Sequence, residues 1–420
     1  MDVLEDLKNR GLIHQATNLS GLEQRLKKGP IVLYYGIDPT GKSLHLGHLL
    51  HLITLKRFLN EGHKIILVLG GATGLIGDPS GKSEERPLLG KKVIQQNIVK
   101  LTKQLQNFFK SEKTKERLLI LNNYQWYSQF KLLDFLREVG KNFTVSYLLA
   151  KESVKNRLEI GISFTEFSYN LLQAYDFYYL YKKFNCELQI GGSDQWGNIT
   201  SGIDFIRKLE NKEVFGLTLP LLTSSGGEKW GKSTGKGVWL DKKLTSPYSL
   251  YQFLFNTSDN DASRFLKYLT FLTKEELVNL EKKHFRQPEK RLAQKTLAFL
   301  VTKLVHGKKE ALEAEKISQA LFYGNIKSLS EKELEIALKD LPTFVLKQKD
   351  DKISLIDLLV LSKISSSKRE ARQDVSNGII FINDLQFKKI ESIIEKSLCL
   401  FKKYLIIKRG KKNYFLVLWK

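Results

Sequence analysis

Apolar and polar positions follow two rhythms along the first half of this chain. Short β-branched runs at Ile31–Tyr35, Lys64–Leu69, Leu118–Leu121 and Cys186–Ile190 have the length and composition of buried strands. The stretches between them are helical in period, Leu44–Leu59 most clearly. This βαβ rhythm predicts an α/β fold, a Rossmann-like, doubly wound parallel sheet over residues 1–225. Sites in such sheets lie beyond the carboxyl ends of the strands, here Gly36–Thr40, Gly70–Asp78, Asn123 and Gly191–Gln195. Residues 226–245 begin too rich in glycine and serine for a helix or strand and read as a mobile loop. From 246 to 325 the pattern is helical and charged, which predicts an α-helical domain. A polar connector, 326–349, leads to a last small α+β module, 350–420, with a capped basic helix near Ser362–Arg372, a turn at Gly378 and a short strand to Ile382.

Charge adds a partner class to this outline. The chain has 68 Lys and Arg against 45 Asp and Glu, a net +23, which makes a polyanionic partner plausible. A lysine-rich proteome would produce much of that excess without any nucleic acid, so its distribution matters. Residues 347–420 hold 17 basic and 8 acidic side chains, a net +9, where an even spread would give about +4. Cys186 and Cys399 are too few for a disulfide framework or a cysteine metal site, and a reducing cytoplasm fits. The start of the chain is acidic and lacks an apolar or Arg-rich presequence, and no run approaches the ~20 apolar residues of a membrane span.

Two stretches carry the candidate chemistry. His45-Leu-Gly-His48 follows the first strand and opens the Leu44–Leu59 helix, where free N–H groups and the helix dipole favour an anion, so both imidazoles can add donors to a phosphate. Some 180 residues later Lys229-Trp-Gly-Lys232-Ser233 places two ammonium groups in the glycine-rich loop. Alone, a short His pair reads as a structural or surface feature and a Gly/Lys loop as a solvated one. In this order and separation they form the signature pair of class I aminoacyl-tRNA synthetases. The chain resembles that family from near its start to its end, and most closely its bacterial tyrosyl type. The likeness also rests on Tyr34-Tyr35-Gly36-Ile37-Asp38-Pro39-Thr40, on Gly77-Asp78-Pro79-Ser80-Gly81-Lys82 with Arg86, on Tyr169 to Asp176, and on Gln189 to Asn198.

The resemblance implies a two-step reaction: tyrosine and ATP give tyrosyl-adenylate and pyrophosphate, and the tyrosyl group then passes to the 3′ end of its tRNA. It implies Thr40, His45, His48, Lys82, Arg86, Lys229, Lys232 and Ser233 as the catalytic set. Gly36, Asp38, Gly47, Gly192 and Asp194 join Thr40, the two histidines and the two loop lysines around ATP, with Mg2+ carried on its phosphates and no metal held by the protein. Tyr34 and Asp176 would hold the tyrosine hydroxyl, Asp78, Tyr169 and Gln173 its α-ammonium, and Gln195 the region of its carboxylate, with Asn123 and Gln189 in support. Tyr169, Gln173 and Asp176 are spaced i, i+4 and i+7, which puts them on one helix face. Among so many neighbouring aromatics the same spacing equally suits a core or dimer helix. A homodimer and a tRNA partner follow from the likeness, as does an RNA-binding role for Lys363, Lys368, Arg369 and Arg372 in the last module, which is similar to a small domain also found in a ribosomal protein.

Rival readings are weaker. Gly36-x4-Gly41-Lys42-Ser43 satisfies the P-loop pattern after a strand, but the next strands end in Leu69-Gly70 and Leu121-Asn122 with no acid for magnesium, so Lys42 reads as incidental. His45, His48 and His51 suggest zinc, yet no nearby cysteine or acid completes a tetrahedral set. His51 stays without a role, as an ATP-side neighbour or a helix-face residue. A tryptophanyl enzyme would share fold and signatures but has no need of Tyr34 with Asp176 around a hydroxyl. An RNA-binding splicing factor on the same scaffold would not need the catalytic signatures intact.

Overall fold

The computed structural model describes residues 2–81, 87–110, 116–228, 230–231, 237–323, 325–339, 341–347, 350–410 and 413–420. The chain forms two compact units, one of residues 1–245 and 257–297, the other of 246–256 and 298–420.

The first unit is built on a six-stranded sheet: β1 (Gln15–Ala16), β2 (Val32–Ile37), β3 (Lys64–Leu69), β4 (Leu118–Asn122), β5 (Cys186–Gly192) and β6 (Phe215–Leu219), in the order β1-β6-β5-β2-β3-β4. The four strands read from the sequence are β2 to β5, all parallel, as buried apolar runs between helices require. β6 adds in parallel beside β5, and the two-residue β1 pairs antiparallel at the edge. The sequence reading missed both: β1 is too short to show a period, and β6 lies between a helix end and the glycine-rich stretch. The sheet order reverses direction at β2, with β3 on one side and β5 on the other, so the crevice above their carboxyl ends is where a doubly wound sheet binds ligands. The helix expected at Leu44–Leu59 runs Leu46–Asn60 and is buried along most of its length. Helix Phe164–Phe184 packs on the sheet through Phe177 and Leu180, with Tyr34, Ile66, Val68 and Trp126 in the same cluster.

The stretch read as one helical domain is helical but is divided between the units. Asp259–Leu269 and Lys274–Arg286 belong to the first, Pro247–Phe255 and Lys308–Tyr323 to the second. The stretch read as a linker is folded as well: it holds helix Glu331–Leu338, capped by Ser330 and Glu333, and strand β7 (Thr343–Leu346). Its polar outer face resembled a connector in the sequence, while Leu334 and Leu338 are buried.

In the second unit β9 (Ile380–Ile382), β10 (Leu385–Phe387), β12 (Tyr404–Arg409) and β13 (Asn413–Trp419) join β7 in a sheet ordered β10-β9-β12-β13-β7; β8 (Lys352–Ser354) and β11 (Ile393–Glu395) form a separate pair. Period-two alternation along β12 gives it two buried faces. Leu405 and Ile407 join Leu358, Leu359, Ala371 and Val375 of the two helices Leu355–Leu361 and Lys368–Ser376. Tyr404 and Ile406 face Ile317, Leu334 and Leu338. The basic helix is capped by Ser367 and followed by Gly378 at φ 66° and β9, in the order read from the sequence.

Candidate active site

The carboxyl ends of β2, β3 and β5 and the start of the Leu46–Asn60 helix enclose a cavity of about 690 Å3. Of the sequence-predicted residues, Tyr34, Gly36, Asp38, Thr40, His45, Gly47, His48, Asp78, Asn123, Tyr169, Gln173, Asp176, Gln189, Gly192, Asp194 and Gln195 all line it. Lys82, Arg86, Lys229, Lys232 and Ser233 lie outside the described residues.

One end of the cavity is a buried hydroxyl and carboxylate. Tyr34 comes from the middle of β2, beside Gln189 of β5 in register, and its buried Oη has no hydrogen-bond partner among the described residues. Burial, with Asp176 nearby, raises its pKa well above the usual phenol value. Asp176 projects from helix Phe164–Phe184 with a donor on each oxygen: Trp126 Nε1 at 2.8 Å on Oδ1 and Asn123 Nδ2 at 3.1 Å on Oδ2. Burial pushes its carboxyl up to about 7, against the pull of hydrogen bonds from Asn123, Trp126 and Tyr127. Sequence reasoning left the donor for this buried acid to a ligand. The structure corrects that in part, because Trp126, an unnoticed residue three positions after Asn123, already serves it. The unpartnered groups here are Tyr34 Oη and the buried Gln189 Oε1, which a ligand hydroxyl or amine can satisfy.

The middle of the cavity is held by acids and amides. Tyr169 Oη donates to Asp38 Oδ2 at 2.9 Å, and Thr73 Oγ1 to Asp38 Oδ1 at 2.7 Å. Asp38, expected on the ATP side, is therefore bonded to a residue expected on the amino-acid side. This close approach explains Gly70: a Cβ there would come within 2.0 Å of Asp38 Oδ1. Asp78 accepts from Gln195 Nε2 at 2.7 Å and from the Ser80 N–H at 3.0 Å.

The open end is the helix N-terminus. His45 is the N-cap, its Nδ1 accepting from the Gly47 N–H at 3.0 Å, while His48 Nδ1 accepts from the His45 N–H at 3.2 Å. In the neutral tautomers that this bonding assigns, each ring carries its proton on Nε2 and offers that one donor. The ring centroids stand 3.9 Å apart. Thr40 and Gly36 are exposed at this mouth. His51 is buried, stacked on Tyr35 at 4.7 Å, with its Nδ1 3.1 Å from the Gly47 carbonyl oxygen; burial lowers its pKa to about 4. Lys42 is exposed and is not among the lining residues, and Ser43 is buried and bonded to Gln104 and the Asp241 N–H. That arrangement gives no phosphate cradle of the P-loop kind.

The glycine-rich loop returns to the His stretch. Val238 O accepts from the Leu46 N–H, the Leu240 N–H donates to Leu44 O, and Trp239 and His45 form an antiparallel bridge. Trp230 and Gly231 line the cavity, with the Trp230 ring against Phe265 at 3.9 Å. Trp230 and Gly231, which stand between the two loop lysines in the sequence, are thus seated at the mouth that holds His45. Among the described residues no three His, Cys, Asp or Glu side chains gather as a metal set.

In the second unit Lys363, Lys368, Arg369 and Arg372 are all exposed, and Lys368 pairs with Asp357 at 2.8 Å. Arg409 is held against Glu370 and Asp374.

Comparison with known proteins agrees with this geometry. The family of tRNA synthetases class I (W and Y) matches residues 26–323, and the Tyrosine--tRNA ligase SYY-like C-terminal domain matches 333–417. The chain is 49% identical to the tyrosine--tRNA ligase of Oceanobacillus iheyensis over 424 residues, 99% of each chain. It is 49% identical to tyrosine--tRNA ligase 1 of Bacillus subtilis over 421 residues, the full length of both. A C-terminally truncated mitochondrial tyrosyl-tRNA synthetase of Aspergillus nidulans superposes with a TM-score of 0.69 at 32% identity, over 76% of this chain and 94% of that one. With a family match across the sheet, a second across the last module and full-length identity near one half, the chain belongs to the class I tRNA synthetases, in their tyrosine--tRNA ligase branch.

Proposed function

We propose that the residues of this cavity divide the ligation of tyrosine to its tRNA as follows. Tyr34 and Asp176 take the phenol hydroxyl, with Asn123 and Trp126 fixing the carboxylate and Gln189 in reserve beside it. Asp78, Tyr169 and Gln173 take the α-ammonium, and Gln195 lies toward the carboxylate. The single observation that carries this reading is the buried, unpartnered Tyr34 hydroxyl beside a carboxylate whose other donors are already in place. Such a group is costly unless a ligand completes it.

ATP takes the open end, its phosphates toward the helix N-terminus with donors from Thr40 and the Nε2 atoms of His45 and His48, and its ribose toward Gly192 and Asp194. Gly36, Asp38 and Gly47 complete that side. Mg2+ arrives with ATP and neutralises phosphate charge. The tyrosine carboxylate already carries the charge it needs for attack on the α-phosphorus, so no general base is required. The protein positions the two reactants and meets charge that develops on phosphate oxygens, a task for fixed donors and cations. Lys82, Arg86, Lys229, Lys232 and Ser233 are proposed for that task on sequence grounds.

Beyond the cavity, residues 1–225 are proposed as the catalytic domain with an inserted dimer segment, 226–245 as the lysine loop, the helices of 246–325 as the anticodon side and 350–420 as the RNA-binding module, with the folded stretch 326–349 preceding that module in the chain. The dimer reading draws on exposed apolar side chains between 132 and 164, among them Leu132, Leu133, Ile160 and Phe164, each at least 70% exposed. Contact with tRNA draws on exposed Lys363, Lys368, Arg369 and Arg372. Work in the cytoplasm fits two buried, free cysteines; among the described residues no helix is long and apolar enough to cross a membrane. The test is exchange of pyrophosphate into ATP with each of the twenty amino acids. Tyrosine alone is expected to support fast exchange, and fast exchange with tryptophan would refute the pocket assignment.

A further inference from the structure

Behind the cavity, one amide touches four of the groups that line it. Asn198 lies near the start of helix Trp196–Glu210, 2% exposed and absent from the cavity wall. Its Nδ2 stands 3.0 Å from Gln173 Oε1, 3.1 Å from Gln195 Oε1, 3.3 Å from Ser80 Oγ and 3.4 Å from Asp78 Oδ1. Its Oδ1 accepts from Asn170 Nδ2 at 2.8 Å. The orientation of this amide follows from the charge at the centre. Asp78 ionised can only accept, so Gln195, whose Nε2 is 2.7 Å from Asp78 Oδ2, must present Oε1 on its other side. Asn198 then faces oxygen from three places, the turn after the short helix Thr73–Ile76, helix Phe164–Phe184 and the turn Ser193–Gln195 that follows β5. A reversed Asn198 would set oxygen against oxygen, and Asn170 secures the observed sense from behind.

We infer that Asn198 is a positioning residue for amino-acid recognition. It does not touch substrate; it draws the oxygens of Asp78, Gln173 and Gln195 around one donor, and so fixes a cluster of acceptors whose partner of choice is an ammonium group. An NH2 group has two hydrogens, fewer than the acceptors around it. A substrate ammonium brings three hydrogens to the oxygens that this amide gathers. This inference rests on the proposal that Asp78 and Gln173 take the α-ammonium of tyrosine.

The test is kinetic and uses the full chain. Asn198→Ala should raise KM for tyrosine in pyrophosphate exchange about ten-fold, the loss of one or two buried hydrogen bonds, and leave KM for ATP unchanged. The Ki of 3-(4-hydroxyphenyl)propionate, which lacks the amine, should change less than about two-fold, since it forfeits the same contacts in both enzymes. The preference for tyrosine over phenylalanine, set at the other end of the pocket, should hold. Asn198→Ser keeps a hydroxyl donor at this position; it should recover part of the loss, and it carries the same test if the alanine variant does not fold. An unchanged tyrosine KM, or equal losses for tyrosine, the deaminated analogue and the hydroxyl preference, would overturn the inference. Asp78→Asn separates the two layers of argument. If Asp78→Asn lowers the preference for tyrosine over the deaminated analogue and Asn198→Ala does not, the inference alone fails. If Asp78→Asn leaves that preference intact, the ammonium assignment fails and takes the inference with it.

Discussion

Asp176 and Arg372 are both charged, and both were picked out in the sequence, yet the structure gives them opposite surroundings. Asp176 is 5% exposed, fixed by a donor on each oxygen and perturbed by burial. Arg372 stands in solvent on the surface of a helix of nine residues. On the proposed assignment the first arrangement would select one small molecule, because any ligand lacking a hydroxyl would leave buried groups unsatisfied. The second suits a long polyanion, which is met by many weak, salt-sensitive contacts. Substitutions in the cavity should therefore act on specificity and rate and leave salt dependence alone, while substitutions on the basic helix should do the reverse.

The largest expected effect is on hydroxyl recognition. Sites that hydrogen-bond a substrate hydroxyl reject the analogue without it by ~10⁴ to 10⁵, a range measured in part on this enzyme family and not calculated from the present geometry. Asp176→Asn and Tyr34→Phe should each reduce the tyrosine over phenylalanine ratio of kcat/KM, Asp176→Asn by about 10²-fold. Unchanged ratios in both would remove the basis for the comparison.

Next is the helix N-terminus. His45→Ala should slow single-turnover adenylate formation by roughly 10²-fold while tyrosine affinity stays near its starting value, the signature of a donor used on the way to the transition state. Lys42→Ala, exposed and outside the cavity wall although its neighbours Gly41 and Ser43 line it, should have a near-normal rate; a dead enzyme would revive the P-loop reading. On the other side of the comparison, Arg369→Ala with Arg372→Ala should weaken tRNA binding about ten-fold at moderate salt, and lower the slope of log K against log salt by about one per lost phosphate contact. An unchanged slope would leave the charge of this module as compositional background.

The smallest effect is a pH dependence. With its carboxyl at about 7, Asp176 is protonated at lower pH and, on the proposed assignment, would then meet the substrate hydroxyl as a competing donor. The tyrosine KM should rise about five-fold from pH 7 to pH 6, and Asp176→Asn should flatten that rise. The sign for folding is opposite. A carboxyl raised above its ordinary value adds stability that is complete below about pH 4 and is lost as pH climbs through 7. Thermal melting of the unliganded protein against pH, with Asp176→Asn as reference, measures it.

Strands β2 to β5 and the His helix were legible because each is a local pattern: a buried apolar run or a helical stripe, closed by glycine or proline. The site was legible for the same reason that its fold is doubly wound, since the stretches rich in glycine, histidine and acid fall at strand ends. The order of the sheet was not, and neither was edge strand β1, whose two residues pair with β6 some 200 positions away. Trp126 carried no signal of its own, and Asn198 only its place at the end of the Gln189 to Asn198 stretch. A tryptophan among aromatics reads as core, and an asparagine after glycine reads as a turn; their roles exist only because Asp176 and Asp78 are brought to them from 50 and 120 positions away. The sequence by itself determined which groups are available and where along the chain they stand. The tertiary structure alone decided which acid receives which donor, because burial of a charge is settled by distant segments that close around it and not by the residues beside it.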